Sequence, residues 1–277
     1  MLTPADDDVH ERPAGAPDTW QENCFALARD DEHDLCIYLH VERLADRVEV
    51  KAAVDAGGVT TWHDAHDDWW YEPDAPFESL RIAWKGGPIG LDLSLSSHLP
   101  PIDHADVLAT LGLPGAERDH YESVGRLSGS VAIDGDTIPV DGTFVRDHTW
   151  GVREYQRFGA SWWWPTCFDG GDAYAGGVAV DLGGRTVGYG LVADADGVAA
   201  ATDVSVSVTG DASPGGYDGT TIRYIPEGRS PVELSSRTVR HLCTTFPAFG
   251  LERRWNDAYS HCTWGHRTGF GTRELGT

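Results

Sequence analysis

Val124-Gly125-Arg126-Leu127-Ser128-Gly129-Ser130-Val131-Ala132-Ile133, then Asp134-Gly135, then Thr137-Ile138-Pro139-Val140-Asp141-Gly142-Thr143-Phe144-Val145, is the stretch that decides the fold class. Two alternating runs rich in Val, Ile and Thr flank an Asp-Gly pair, which accepts the left-handed conformations of a tight hairpin turn. The same texture recurs outward from this hairpin. Gly90-Leu91-Asp92-Leu93-Ser94-Leu95 alternates apolar and polar with period 2, and Leu80-Arg81-Ile82-Ala83-Trp84 precedes it across a Gly86-Gly87-Pro88 break. Residues 34–41 and 47–54 make an earlier pair closed by Gly57-Gly58; residues 173–181, 186–193, 204–209, 220–225 and 234–242 repeat the pattern later. Helical periodicity is confined to residues 104–111, stopped by Gly112 and Pro114. Short strands at regular spacing predict an all-β protein of sandwich or barrel type with little helix. A length of 277 residues then favours two β-barrel domains in tandem over one.

The expected division is a mobile acidic tail over residues 1–17, one barrel over 18–145 and a second over 146–277. Duplication has one echo in the sequence: Trp150-Gly151-Val152-Arg153 is matched by Trp264-Gly265-His266-Arg267.

Composition narrows the function. The formal charge is -23, from 44 acidic against 21 basic residues. Nucleic acid and anionic membrane surfaces both need a basic footprint, so neither is an expected partner. No apolar stretch approaches the ~20 residues of a membrane-spanning helix, and residues 1–17 lack the basic and apolar regions of a signal peptide. Five cysteines without a CxxC pair suggest neither a disulfide framework nor a zinc knuckle, which fits a reducing, cytoplasmic location. Oligomeric state is left open. The acidic, Lys-poor composition fits either a salt-adapted protein or a GC-rich coding sequence, and a melt separates the two. If the excess charge strains the fold, the midpoint rises from low to molar NaCl as ions screen the repulsion. A flat or falling midpoint removes the salt-adapted reading.

Arg146-Asp147-His148-Thr149-Trp150-Gly151-Val152-Arg153 concentrates the chemistry. On a strand, Arg146, His148 and Trp150 share one face and Asp147 and Thr149 the other. Asp147 beside His148 can set the imidazole tautomer, and Arg146 can hold a carboxylate charged. The same residues also suit a purely structural latch. Ser161-Trp162-Trp163-Trp164 puts Trp162 and Trp164 on one side, and Trp69-Trp70-Tyr71 is a second cluster, within a total of eleven Trp. Such faces stabilise a cation by roughly 0.5–2 kcal/mol per contact, or simply fill a core. Glu22 and His40 are further polar candidates on strands. His63-Asp64-Ala65-His66-Asp67-Asp68 fits no zinc spacing and reads as a solvated acidic loop. There is no phosphate loop, dinucleotide glycine motif or nucleophile elbow.

The Arg-Asp-His-x-Trp-Gly-x-Arg run after a hairpin, with Trp20-Gln21-Glu22 early and Trp264 to Glu274 Gly-rich at the end, resembles the tandem lipocalin-like (calycin) proteins. These include the AttH-type proteins, the carotenoid 1,2-hydratases and Diels–Alderase-type cyclases. The resemblance implies two lipocalin-like barrels and an apolar small-molecule substrate, hydrated or cyclised by acid–base chemistry without a cofactor or metal. In the hydratases the His and Trp of this run and a downstream Tyr are implicated in the reaction, which implies His148, Trp150 and Tyr174. The residues themselves add Asp147 and Glu22 as catalytic candidates, and Arg146, Trp150, Arg153, Trp162 and Trp164 as candidates for binding an isoprenoid-like substrate. The hydratases carry an Asp two residues beyond the Tyr. Here that position is Gly176, leaving Asp172 or Asp169 as substitutes. A carrier binding a lipid or isoprenoid in the same pocket is the alternative, and a non-catalytic interaction protein a third.

Overall fold

The computed structural model describes residues 1–65, 70–111, 118–153, 159–248 and 251–277; the side chains of 62–65, 70, 86, 118, 243–248 and 251–254 lie outside the description. The side chains of the His63–Asp68 run and of the Trp69-Trp70 pair therefore lie outside the description. The chain forms two compact units, Met1–Ala105 with Glu117–Arg153, and Asp106–Ala116 with Glu154–Thr277.

In the first unit the strands are β1 (Trp20–Asp30), β2 (Leu35–Arg43), β3 (Val48–Ala56), β4 (Val59–Ala65), β5 (Trp70–Ala75), β6 (Ser79–Gly86), β7 (Ile89–Ser97), β8 (Ile102–Asp103), β9 (Arg118–Ile133) and β10 (Asp136–Val152). They form one antiparallel sheet in the order β4-β3-β2-β1-β10-β9-β7-β6-β5, with β8 paired to β9. Asp134 and Gly135 both take positive φ, 52° and 95°, so the central hairpin turns as its Asp-Gly pair predicts. Alternation delivers the core. Ile89, Leu91, Leu93 and Leu95 of β7 pack with Ile82, Leu127, Val131, Leu39 and Phe144 inside the curled sheet.

The second unit contains β11 (Ser161–Trp163), β12 (Thr166–Phe168), β13 (Ala173–Asp181), β14 (Thr186–Asp194), β15 (Gly197–Ala201), β16 (Val204–Gly210), β17 (Tyr217–Tyr224), β18 (Val232–Ala248), β19 (Leu251–Trp264) and β20 (Arg267–Gly276). Its order is β15-β14-β13-β11-β20-β19-β18-β17-β16, with β12 paired to β13 and β20. Each strand matches one of the first unit, β11 and β12 together standing for β1, and β8 alone lacking a counterpart. The architecture is a duplication.

Three expectations need correction. The Trp-Gly-x-Arg echo is not the repeat: Trp150 lies in β10, whose counterpart is β20, whereas Trp264 lies in β19. The first unit runs to Arg153, because β10 stays in register with β1 as far as Trp20↔Val152 and carries the whole central motif. Finally, the segment read as a mobile tail is docked. It makes a short 3-10 turn over Pro4–Asp7, and Asp7 is buried. A carboxylate is buried only against partners, and those partners are Arg146 of the central motif, Tyr121, Tyr71 and the Phe77 backbone. The α-helix Ala105–Thr110 falls where the sequence placed one. Among the described residues no helix is long and apolar enough to cross a membrane, and Cys24, Cys36, Cys167 and Cys262 are buried thiols outside any disulfide.

Candidate functional site

β10 places Arg146, His148 and Trp150 on the inward face, all buried. Across the ladder Cys24 lies opposite His148 and Glu22 opposite Trp150, while Tyr121 of β9 lies opposite His148 on the other side. Period-2 alternation on three adjacent strands thus brings Glu22, Tyr121, Arg146, His148 and Trp150 together.

Two linked networks result. In the first, Glu22 Oε1 accepts from His148 Nε2 at 2.8 Å, from His10 Nδ1 at 2.8 Å and from the His10 backbone N–H at 2.9 Å. Arg43 donates to Glu22 Oε2 and, at 2.7 Å, to the His10 carbonyl. These donors hold the Glu22 carboxyl far below the usual carboxylate range, overcoming the burial that opposes ionisation. Burial lowers the His148 pKa, against the pull of Glu22. His148 is therefore a neutral imidazole whose Nε2–H is engaged by Glu22, leaving the Nδ1 lone pair facing the Tyr121 hydroxyl at 3.4 Å. The His10 ring stacks on Trp150 with centroids 4.2 Å apart.

In the second network, Arg146 donates to Tyr71 Oη at 2.9 Å, Tyr121 Oη at 3.0 Å and Asp7 Oδ1 at 2.8 Å. Tyr121 and Tyr71 also donate to Asp7 Oδ1. Asp7 Oδ2 accepts from the Phe77 N–H at 2.6 Å and so steadies a turn in which Phe77 takes φ 64°. Arg146 and these hydrogen bonds hold the Asp7 carboxyl below its ordinary value despite burial. The charges close locally: two carboxylates, Glu22 and Asp7, with two guanidiniums, Arg43 and Arg146.

Not every expected residue joins this site. Asp147 points to the opposite face, where Thr149 Oγ1 donates to it at 3.1 Å and His120 Nε2 lies 3.5 Å away. Glu22, not Asp147, orients the imidazole, because successive strand residues face opposite ways. Arg153 lies near His40 and Glu42, whose pKa values its charge lowers; burial nevertheless leaves Glu42 raised to about 7 and helps depress His40 to about 3. Tyr174, Trp162 and Trp164 belong to the second unit. Trp164 is fully buried in its core with Phe168, Tyr224 and Leu234, and Trp162 packs against the same cluster. Tyr174 is buried too, and its hydroxyl fills the space that a Gly176 side chain would take: a Cβ there would lie 1.7 Å from the oxygen. That room-making explains why no acid follows Tyr174 at this position. Asp7, His10, Arg43 and Tyr121 are not among the candidates that the sequence singles out, and Tyr71 stands there only within an aromatic cluster.

His10, Glu22 and His148 offer a possible metal-ligand trio. Both histidines stand 2.8 Å from Glu22 Oε1, which is a hydrogen-bond length and shorter than the roughly 3.3 Å between ligands of a tetrahedral ion at bonds of 2.0–2.2 Å. Among the described residues the space beside Arg146 is small. Voids of about 10 Å³ each are lined by Cys24, Ala26, Leu39, Tyr71 and Ile82, and deeper by Leu93, Leu127 and Phe144.

Two curled antiparallel sheets of one topology, with a polar site on the inner face of the first, define a tandem lipocalin-like protein. Solved structures agree across nearly the whole chain. A Nitrosomonas europaea protein described as an AttH has a TM-score of 0.70 at 17% identity, covering 97% of this chain and 97% of its own. CghA, solved with Sch210972, gives 0.67 at 10% identity, covering 93% and 88%. Kievitone hydratase from Nectria haematococca gives 0.63 at 8% identity, covering 94% and 90%. At such identities the likeness is one of fold. The chain belongs to the family described as Domain of unknown function (DUF7064), whose model matches residues 3–277. No curated protein matches the sequence.

Proposed function

We propose that the protein is a cofactor-independent hydratase or cyclase acting on an apolar substrate that carries a polarisable oxygen next to its reacting double bond. The observation that carries this reading is the Glu22–His148 pair, 2.8 Å apart, with the other imidazole nitrogen 3.4 Å from the Tyr121 hydroxyl, to which Arg146 donates. Glu22 is ionised and His148 neutral, so the pair is built to accept a proton rather than to protonate an isolated alkene. That argues against the isoprenoid carbocation route implied by resemblance, and for addition to a conjugated carbonyl. Arg146, Tyr71 and Tyr121 would hold the carbonyl oxygen and take the charge that develops on it. His148 Nδ1 would remove a proton from water as the oxygen bonds to the β-carbon, then return that proton to the α-carbon. Glu22 stabilises the transient imidazolium. Cyclisation needs only the polarising donors and the apolar walls. The fold of a named hydratase and of CghA supports this class of chemistry.

The donor cage now holds Asp7 Oδ1, and voids of about 10 Å³ admit about one water. Substrate entry therefore requires the segment bearing Asp7 and His10 to lift from the site.

A panel of apolar α,β-unsaturated carbonyl compounds and polyenes, incubated in D₂O and read by mass spectrometry, tests the proposal. Hydration gives a mass gain of one heavy water with deuterium on the α-carbon; cyclisation gives an isomer without deuterium. Hydration of simple polyenes but not of the carbonyl compounds would contradict the base mechanism. Tight binding without turnover would favour a carrier.

A further inference from the structure

The opposite face of the same strands holds a second cluster. His120 and Glu122 of β9 and Asp147 of β10 point away from His148, and His104, just beyond β8, folds over them. The placement is firm: β8 pairs Ile102 with Glu122, the His104 N–H donates to the His120 carbonyl at 2.9 Å, and Asp103 Oδ1 accepts from the Ala105 N–H at 2.9 Å. His104 and Glu122 are fully buried and His120 is 3% exposed.

Two observations fit this cluster to a metal ion. His104 Nε2 lies 3.5 Å from Glu122 Oε1, His120 Nε2 lies 3.4 Å from the same oxygen, and His120 Nε2 lies 3.5 Å from Asp147 Oδ2. Charge-assisted hydrogen bonds are about 2.7–2.9 Å, whereas ligands 2.0–2.1 Å from a tetrahedral ion stand about 3.3–3.5 Å apart. Second, one donor atom each from His104, His120 and Glu122 lie within 4.8 Å of one another, and the two rings stack at 4.3 Å with both Nε2 atoms close to one carboxylate.

We propose that His104, His120 and Glu122 form a three-ligand site for a divalent transition ion of the zinc type. Two imidazoles and a carboxylate suit zinc or cobalt(II) better than calcium or magnesium, which prefer all-oxygen shells. The ion would pin the β8 turn to the sheet, on the face of β10 opposite His148.

The test uses the full chain, dialysed against EDTA and titrated with Zn²⁺ and Co²⁺. One equivalent should bind, the cobalt form should show the intense visible bands of a tetrahedral ion, and the melting midpoint should rise with added metal. Glu122→Gln and His120→Asn should weaken binding by at least about 100-fold, since even outer partners of metal ligands are worth about 10–100-fold. His148→Gln should leave binding unchanged, because His148 lies on the other face. Absence of binding by the wild-type chain overturns the proposal. So does binding that survives in Glu122→Gln and His120→Asn but is lost in His148→Gln. Should a variant fail to fold by circular dichroism, the wild-type cobalt spectrum decides: octahedral bands, or none, sink the site.

Discussion

His148→Ala is expected to lower turnover by roughly 10²–10⁴-fold, the usual worth of a positioned acid–base group, on whichever substrate the D₂O panel identifies. The loss should fall on kcat, since the imidazole acts through its free Nδ1 and contributes little apolar contact. Glu22 keeps Arg43 and both His10 donors when His148 is removed, so the melting midpoint should move little. Glu22→Gln should also slow the reaction, by leaving the imidazole without its counter-charge. Asp147→Asn should not: Asp147 faces the other side of β10, and its loss should appear in stability instead. Equal rate losses for Asp147→Asn and His148→Ala would contradict this assignment. If His148→Ala unfolds the protein while activity per folded molecule is retained, the cluster is architecture, and catalysis has to be sought elsewhere.

Much of this was readable from the sequence, and the failures have physical causes. Period-2 alternation identifies strands because side chains alternate by geometry, so the β class, the Asp134-Gly135 hairpin and the shared face of Arg146, His148 and Trp150 follow directly. The same rule could have found Tyr121, whose odd number places it on the face of Leu127 and Val131. Asp7 and His10 carried no such signal. A polar, proline-rich segment reads as solvated unless its distant partners are known, and those partners are Arg146, Tyr121 and Glu22. The second cluster was hidden for a related reason. His120-x-Glu122 is an ordinary strand spacing, and only the β8 turn brings His104 across it. Conversely, Trp162, Trp164 and Tyr174 looked functional by residue type, but their strands place them in the second core.

Asp7→Ala is expected to destabilise the first unit by about 3–5 kcal/mol, because it leaves the buried Arg146 guanidinium without its carboxylate. At about 2–4 °C per kcal/mol for a chain of this size, the midpoint should fall on the order of 10 °C. The acid limb supplies an independent check. Asp7 and Glu22 both have depressed folded-state pKa values. Their stabilisation is present above the unfolded carboxyl pKa of about 4 and lost as pH falls through the lower folded values. His148 adds to the acid side, because its lowered pKa lets the unfolded chain bind a proton below about pH 6.5 that the native state does not. Wild-type stability should therefore decline from about pH 6.5 downward and steeply below about 4, and Asp7→Ala should lose part of the steep limb. The same substitution separates a latch from a gate. If the segment must lift for substrate to enter, Asp7 competes with substrate for Arg146, Tyr71 and Tyr121, and removing it raises the fraction of open molecules. The less stable Asp7→Ala protein should then show a lower KM with kcat nearly unchanged when assayed well below its melting midpoint. A raised KM, or kcat lost in proportion to KM, would mean that Asp7 shapes the bound substrate rather than excluding it. The segment would then be a wall of the site, not its cover.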